Sequence, residues 1–174
     1  MRNDKLKFKT GFTLIELLVA LGVFMVVMTM TLSAFLNIID IQKKTEAFRK
    51  VNDNLNFAME AMMREIREGK NYCQSSCASG TFNFTSKDGN IVNYRLNGEH
   101  IERQIPSESI SWLMLTSDEI KITNLYFSVR GNAANDKQQP LVIIAVSGES
   151  GLKAKLKSKL NLQTTVSQRK LDPL

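Results

Sequence analysis

Few residues in this chain have types and spacings that could do chemistry. The first is Glu16, the only charged side chain from Phe12 to Ile39. A lone carboxylate beside an apolar run costs a few kcal/mol at a bilayer and calls for a partner or a functional reason. It stands four residues after Phe12, one helical turn away. A cut between Gly11 and Phe12 would create an α-amine on Phe12, a cation close to that carboxylate. A buried carboxylate is tolerated in an assembly when an opposite charge meets it. The other candidates are Cys73 and Cys77, which flank Gln-Ser-Ser. In an oxidising compartment they are expected to form a small local disulfide. A metal site needs more ligands, and the only histidine, His100, lies beside a hairpin signal where an exposed side chain is expected. No metal and no cofactor are expected. No triad, carboxylate pair or phosphate-binding glycine loop stands out, so the chain does not read as an enzyme.

These residues sit at the ends of long, simple elements. A basic leader, Met1–Gly11, precedes an apolar run in which Leu17–Leu36 gives twenty residues without a charge. The pairing is like that of a secretory signal, but the run is too long and no small-x-small site follows it. The small residue, Gly11, comes before the run. As a helix, Phe12–Ile39 would reach roughly 42 Å against about 30 Å of hydrocarbon. The positive-inside rule predicts a cytoplasmic leader and an extracytoplasmic body.

Beyond the run, Phe48, Val51, Leu55, Met59, Met62 and Ile66 recur at spacings of three or four, the mark of an amphipathic helix. No proline interrupts Phe12–Glu68, which predicts one helix about 85 Å long. Gly69 is expected to end it as glycine commonly does just past a helix end. Strand signals follow at Thr81–Thr85, Ile91–Leu96, His100–Ile105, Ile120–Val129, Leu141–Val146 and Lys159–Val166, with Asn97-Gly98 as a hairpin turn. The predicted fold is α+β: a long N-terminal helix, transmembrane in its first half, with an antiparallel sheet packed on its second half. The expected segments are leader 1–11, transmembrane helix 12–39, amphipathic continuation 40–68 and globular β domain 69–174.

The run Gly11-Phe-Thr-Leu-Ile-Glu16-Leu-Leu-Val19 resembles the prepilin signature of the type IV pilin and pseudopilin family. The resemblance implies cleavage between Gly11 and Phe12 by a prepilin peptidase, N-methylation of Phe12, and Glu16 pairing with the Phe12 amine of a neighbouring subunit. It also implies an inner-membrane assembly platform and other pilin subunits as partners, with a single-pass stage in the cytoplasmic membrane before entry into a filament. Many major pilins carry a helix-kinking proline near the position of Ser33, which this chain lacks. Leu115–Phe127, the strand led by Pro140, and Gln163–Arg169 are similar to minor pilins and to the minor pseudopilin near the tip of type II secretion filaments. The expectation is therefore a minor subunit that joins or primes a helical filament. The alternatives are a major subunit or a tip-proximal adhesin or DNA-binding pilin. The family's extreme-tip subunit often lacks the glutamate, so Glu16 argues for a neighbour above.

The formal net charge is +6. The leader holds four cations, Arg2, Lys5, Lys7 and Lys9, against Asp4, so half of that charge leaves with it. The rest includes Lys153, Lys155, Lys157 and Lys159, expected on a solvated turn or hairpin arm. A nucleic-acid partner is possible but charge alone does not support it.

Overall fold

The computed structural model describes residues 11–73, 80–109, 111–132, 138–151 and 156–169. The chain divides into two compact units, Met1–Gln42 and Lys43–Leu174. Helix α1, Leu14–Glu68, begins in the first and ends in the second. Its uninterrupted 55 residues follow from the absence of proline and the presence of a single glycine, Gly22.

In the first unit the side chains of α1 face outward all round, among them Leu14, Leu17, Val19, Phe24, Val27, Met30 and Leu36. A helix apolar on every side needs an apolar environment. Among the described residues this is the helix long and apolar enough to cross a membrane. Two of its hydroxyls bond back to the helix: Thr29 Oγ1 donates to Val26 O and Thr31 Oγ1 to Val27 O, each at 2.8 Å. Back-bonding of this kind lets a polar side chain enter hydrocarbon.

The second unit explains why the later part of α1 is amphipathic. Ala47, Val51, Leu55, Ala58, Met59, Met62 and Ile66 are buried along one stripe. Burying a side chain of the size of Leu55 or Ile66 contributes roughly 1.5–3 kcal/mol. Phe48, expected on that stripe, is 45% exposed instead; Ala47 takes the buried position beside it.

Two sheets, rather than one, cover the stripe. The first contains β1 (Thr81–Thr85), β2 (Ile91–Asn97), β3 (His100–Gln104) and β4 (Leu113–Met114), in that order and antiparallel. The second contains β5 (Lys121–Arg130), β6 (Leu141–Ser150) and β7 (Ser158–Ser167), also in sequence order and antiparallel. The six strand signals correspond to β1–β3 and β5–β7; β4, two residues long, carries no periodicity that could announce it. Phe82 of β1 stacks on Phe127 of β5 with centroids 4.4 Å apart, joining the sheets inside one core. The β2–β3 loop is Gly98-Glu99, since Asn97 pairs with His100. Gly98 has φ +59°, placing the glycine first in the two-residue loop.

Gly69 has a different role from the one expected. The helix stops there, with its N–H bonded to Ile66 O at 3.0 Å, but its backbone is not left-handed. A Cβ would collide with the Phe84 ring, standing 2.8 Å from Cε2, and would lie 3.2 Å from Thr85 O. Close packing of β1 demands the glycine. The left-handed residues come next, Asn71 and Cys73, with φ 57° and 59°. Tyr72 between them is fully buried and turns its hydroxyl back on the helix end, 2.8 Å from Ile66 O and 2.9 Å from Gly69 O. Its single hydroxyl hydrogen is shared between these two carbonyls, where the end of the helix leaves acceptors without intrahelical donors.

Candidate processing and assembly site

Gly11, Phe12 and Thr13 precede the first helical residue and are exposed. Phe12 is 87% exposed. Among the described residues, a Cβ built on Gly11 meets nothing within 4 Å, and its φ lies outside the left-handed range. No contact among the described residues therefore calls for glycine at position 11. The requirement for a minimal side chain, if there is one, comes from another molecule that handles this bond. An exposed, non-helical peptide bond is also the form that a peptidase can grip.

Helix α1 starts at Leu14 rather than Phe12 because Thr13 caps it. Thr13 O accepts the Leu17 N–H at 3.2 Å. Thr13 Oγ1 accepts the Glu16 N–H at 3.3 Å, and the Thr13 N–H and hydroxyl both lie 3.3 Å from Glu16 Oε2. This is a capping box: a hydroxyl residue and a glutamate three positions later satisfy each other's amides. The anion also sits at the positive end of the helix dipole. Sequence reasoning singled out Glu16 and passed over Thr13. The signal was present, since Thr-x-x-Glu before an apolar run is the written form of this cap.

The geometry brings Glu16 to within one residue of Phe12, at the first turn of the apolar helix. Phe12, Gly11 and Glu16 thus form one short, exposed locus. What it can do chemically is offer a peptide bond for cleavage and hold a carboxylate next to the amine that cleavage would release.

Cys73 is remote from that locus. It follows the helix end, donates its N–H to Asn83 O at 2.8 Å, and is disulfide-bonded. Cys77, the expected partner, lies outside the described residues, as do Lys153 and Lys155. His100 is half-buried rather than exposed, with Nε2 3.6 Å from Asp118 Oδ1. The β2–β3 turn packs against β5 through the Ile122 N–H, which donates to Glu99 O at 2.9 Å, and so covers it. Among the described residues no three side chains of metal-ligating type come together.

The polar groups that fix the second unit are structural. Glu65 on α1 accepts Nη2 and Nε of Arg103 at 2.7 and 3.0 Å and the Tyr94 hydroxyl at 2.6 Å. Burial, with the Glu65 charge beside it, pushes the Tyr94 phenol far above its usual range. Burial tends to raise the Glu102 carboxyl, but hydrogen bonds from Arg95 and Asn97 outweigh it and hold the group below the usual carboxylate range.

The prokaryotic N-terminal methylation motif matches residues 6–32, which takes in Gly11, Phe12, Thr13 and Glu16. Neither curated proteins nor solved structures give a match to the chain.

Proposed function

We propose that this chain, which carries the N-terminal signal of type IV pilins, is the precursor of a minor pilin-like subunit that joins or primes a helical filament. The observation that carries the reading is the locus at residues 11–16. An exposed non-helical Gly11–Phe12 bond stands immediately before a capped helix whose first half is apolar on every side. A plain membrane anchor would use the same Thr13–Glu16 cap, but it gives no reason for a glycine at position 11, which no contact among the described residues requires.

Prepilin peptidase cuts after Gly11, and the new Phe12 amine is methylated. Glu16 then meets the Phe12 amine of a neighbouring subunit and fixes axial register, because an unpaired buried carboxylate at any other offset costs several kcal/mol. Before assembly the chain is a single-pass membrane protein with its body outside the cytoplasm. The leader's Arg2, Lys5, Lys7 and Lys9 favour that orientation by the positive-inside rule; Lys43, Lys44, Arg49 and Lys50 follow the run, but a long body translocates largely regardless of its charge. The disulfide at Cys73 favours an oxidising compartment for the body. The minor role rests on the likeness of Leu115–Phe127, the Pro140 strand and Gln163–Arg169 to minor pilins. Pilin-type subunits are structural, and no catalytic role is assigned to this chain.

The deciding experiment is co-expression with a prepilin peptidase. A mature chain beginning at methylated Phe12, present at low stoichiometry in purified filaments, is the expected result. An uncut chain that never leaves the membrane fraction would refute the reading, and filaments built mainly of this chain would refute the minor role.

A further inference from the structure

Two segments far apart in sequence build a cationic recess in the second unit. Ser158, the first residue of β7, is buried, and its hydroxyl donates to the Lys44 carbonyl of α1 at 3.0 Å. That bond seats the start of β7 against the helix. Around it Lys44, Phe48, Lys157, Ser158 and Lys159 line a shallow recess. The lysines are exposed, and Phe48 is the residue that departs from the buried stripe to lie beside them.

Lys157 and Lys159 are held rather than loose. Glu149 Oε1 accepts Lys157 Nζ at 2.7 Å, and Glu149 Oε2 accepts Lys159 Nζ at 3.2 Å. One carboxylate therefore positions two ammonium groups, leaving one surplus positive charge, and Lys44 adds a second. Lys44, Lys157 and Lys159 thus line the recess beside Phe48, and with Glu149 counted the four charged groups sum to +2.

Position along the chain selects the anion. Lys44 lies five residues after Ile39, the last residue of the apolar run. Even fully extended, five residues reach at most about 18 Å, and as a helix they rise only about 7.5 Å. When the apolar run spans a bilayer, the recess is thus confined to the headgroup zone or just above it. Lipid phosphates are the anions that the apolar run itself brings to that level. An aromatic ring among lysines also suits an interface, where apolar faces and cationic heads meet wet and dry layers together.

We propose that the recess formed by Lys44, Phe48, Lys157 and Lys159 binds anionic phospholipid headgroups and holds the body of the membrane-inserted chain against the bilayer before assembly. The proposal rests on the membrane-anchored reading above. Each lysine near an anionic surface contributes roughly a fivefold preference for it. The contact is therefore reversible, and it is weakened by salt.

The test uses the full chain in phosphatidylcholine vesicles, with or without phosphatidylglycerol. A membrane-impermeant amine reagent is applied briefly, and each lysine is read by mass spectrometry. Lys87 is the internal standard: it pairs with Glu68 at the far end of the helix, on the same body, so mixed insertion cancels in the ratio. Labelling of Lys44, Lys157 and Lys159 relative to Lys87 should fall several-fold when phosphatidylglycerol is present and recover at high salt. The double variant Lys157→Gln/Lys159→Gln, altered only at exposed positions, should lose most of the protection at Lys44. Equal labelling in both vesicles, with the chain floating with the lipid, overturns the inference alone. A chain that does not float overturns membrane anchoring and the inference with it. Equal protection in phosphatidylcholine vesicles bathed in inorganic phosphate or duplex DNA assigns the recess to a free anion or nucleic acid and overturns the lipid.

Discussion

Thr13 and Glu16 satisfy each other across the first turn of α1: the Thr13 N–H and hydroxyl both lie 3.3 Å from Glu16 Oε2. The carboxylate at the start of the apolar helix is therefore engaged within its own chain before any neighbour arrives. Capping gives it a reason to persist in the membrane-inserted monomer, where a bare glutamate would be costly. It also aims the group toward the end of the chain that cleavage would expose. A residue read from the sequence as an assembly determinant is thus a local structural one as well.

Gly11→Val should stop processing without disturbing the fold. A side chain at position 11 meets no described residue, so the effect is expected to arise in the peptidase. N-terminal sequencing of membrane fractions should find the leader retained in the variant and Phe12 first in the wild type. A variant still cut ahead of Phe12 would contradict the assignment.

Gly69→Ala should destabilise the body by roughly 1–3 kcal/mol, the cost of forcing atoms into a filled core. The new methyl meets the Phe84 ring. Phe84→Leu in the same chain should recover part of the loss at the helix end, although Phe84 alone makes three aromatic contacts. Denaturant midpoints of the four chains in detergent form a double-mutant cycle. A coupling near zero would mean that the ring yields freely.

Glu102 predicts an acid-dependent loss of stability. Its carboxyl is held below the usual range in the folded chain. Such a group stabilises above the unfolded carboxylate value, and the contribution is lost as pH falls through the depressed folded value. Arg95→Gln removes the hydrogen bond to Glu102 and the guanidinium over Trp112, 3.8 Å from the ring centroid. The variant should be less stable at neutral pH, and the gap should narrow as pH falls from about 6 to about 3. A gap constant across that window would leave the ring contact as the whole effect.

Much of the fold was legible because it depends on periodicity. The proline-free run through Glu68 and the alternation at Ile91–Leu96 each report a local pattern. What was not legible depends on contacts between distant residues. Phe82 meeting Phe127 divides the strands into two sheets around one core, and nothing within either strand encodes that partner. Phe48 fits the helical stripe by spacing, yet it is 45% exposed while Ala47 beside it is buried. Gly69 stands at the helix end as its type suggests, but what requires it is the Phe84 ring of β1, which no local pattern announces. At the candidate site the cap is local: Thr13 and Glu16 are three residues apart, and Thr-x-x-Glu before an apolar run encodes it.

Cys73 should be joined to Cys77. Cys73 is disulfide-bonded, and the chain contains two cysteines. Non-reducing mass spectrometry of exported protein should recover both in one cross-linked peptide. Closing a loop this short stabilises by about 2 kcal/mol, so reduction should lower the denaturation midpoint modestly without unfolding the body. Free thiols in exported protein would defeat the pairing.

The last prediction separates the two roles of Glu16. If the residue acts chiefly as a helix cap, losing its partner hydroxyl should matter as much as losing its charge. Thr13→Val removes the hydroxyl that Glu16 bonds, at a cost of about 1 kcal/mol to the helix start, yet leaves the carboxylate free to meet an amine. Glu16→Gln does the reverse: the amide oxygen can still accept from the Thr13 N–H, while the charge is gone. Register in a filament depends on charge, because sliding apolar helices past one another buries similar area at many offsets, whereas an unmatched buried carboxylate costs several kcal/mol. Glu16→Gln and Glu16→Leu should therefore insert and be cut normally, yet enter filaments poorly. Thr13→Val should assemble much better than either, with a helix start that exchanges its amides faster. The measurement is the share of each variant in membrane and filament fractions. If Thr13→Val failed as severely as Glu16→Gln, the cap would be the assembly determinant, and the charge-register mechanism would have to be abandoned.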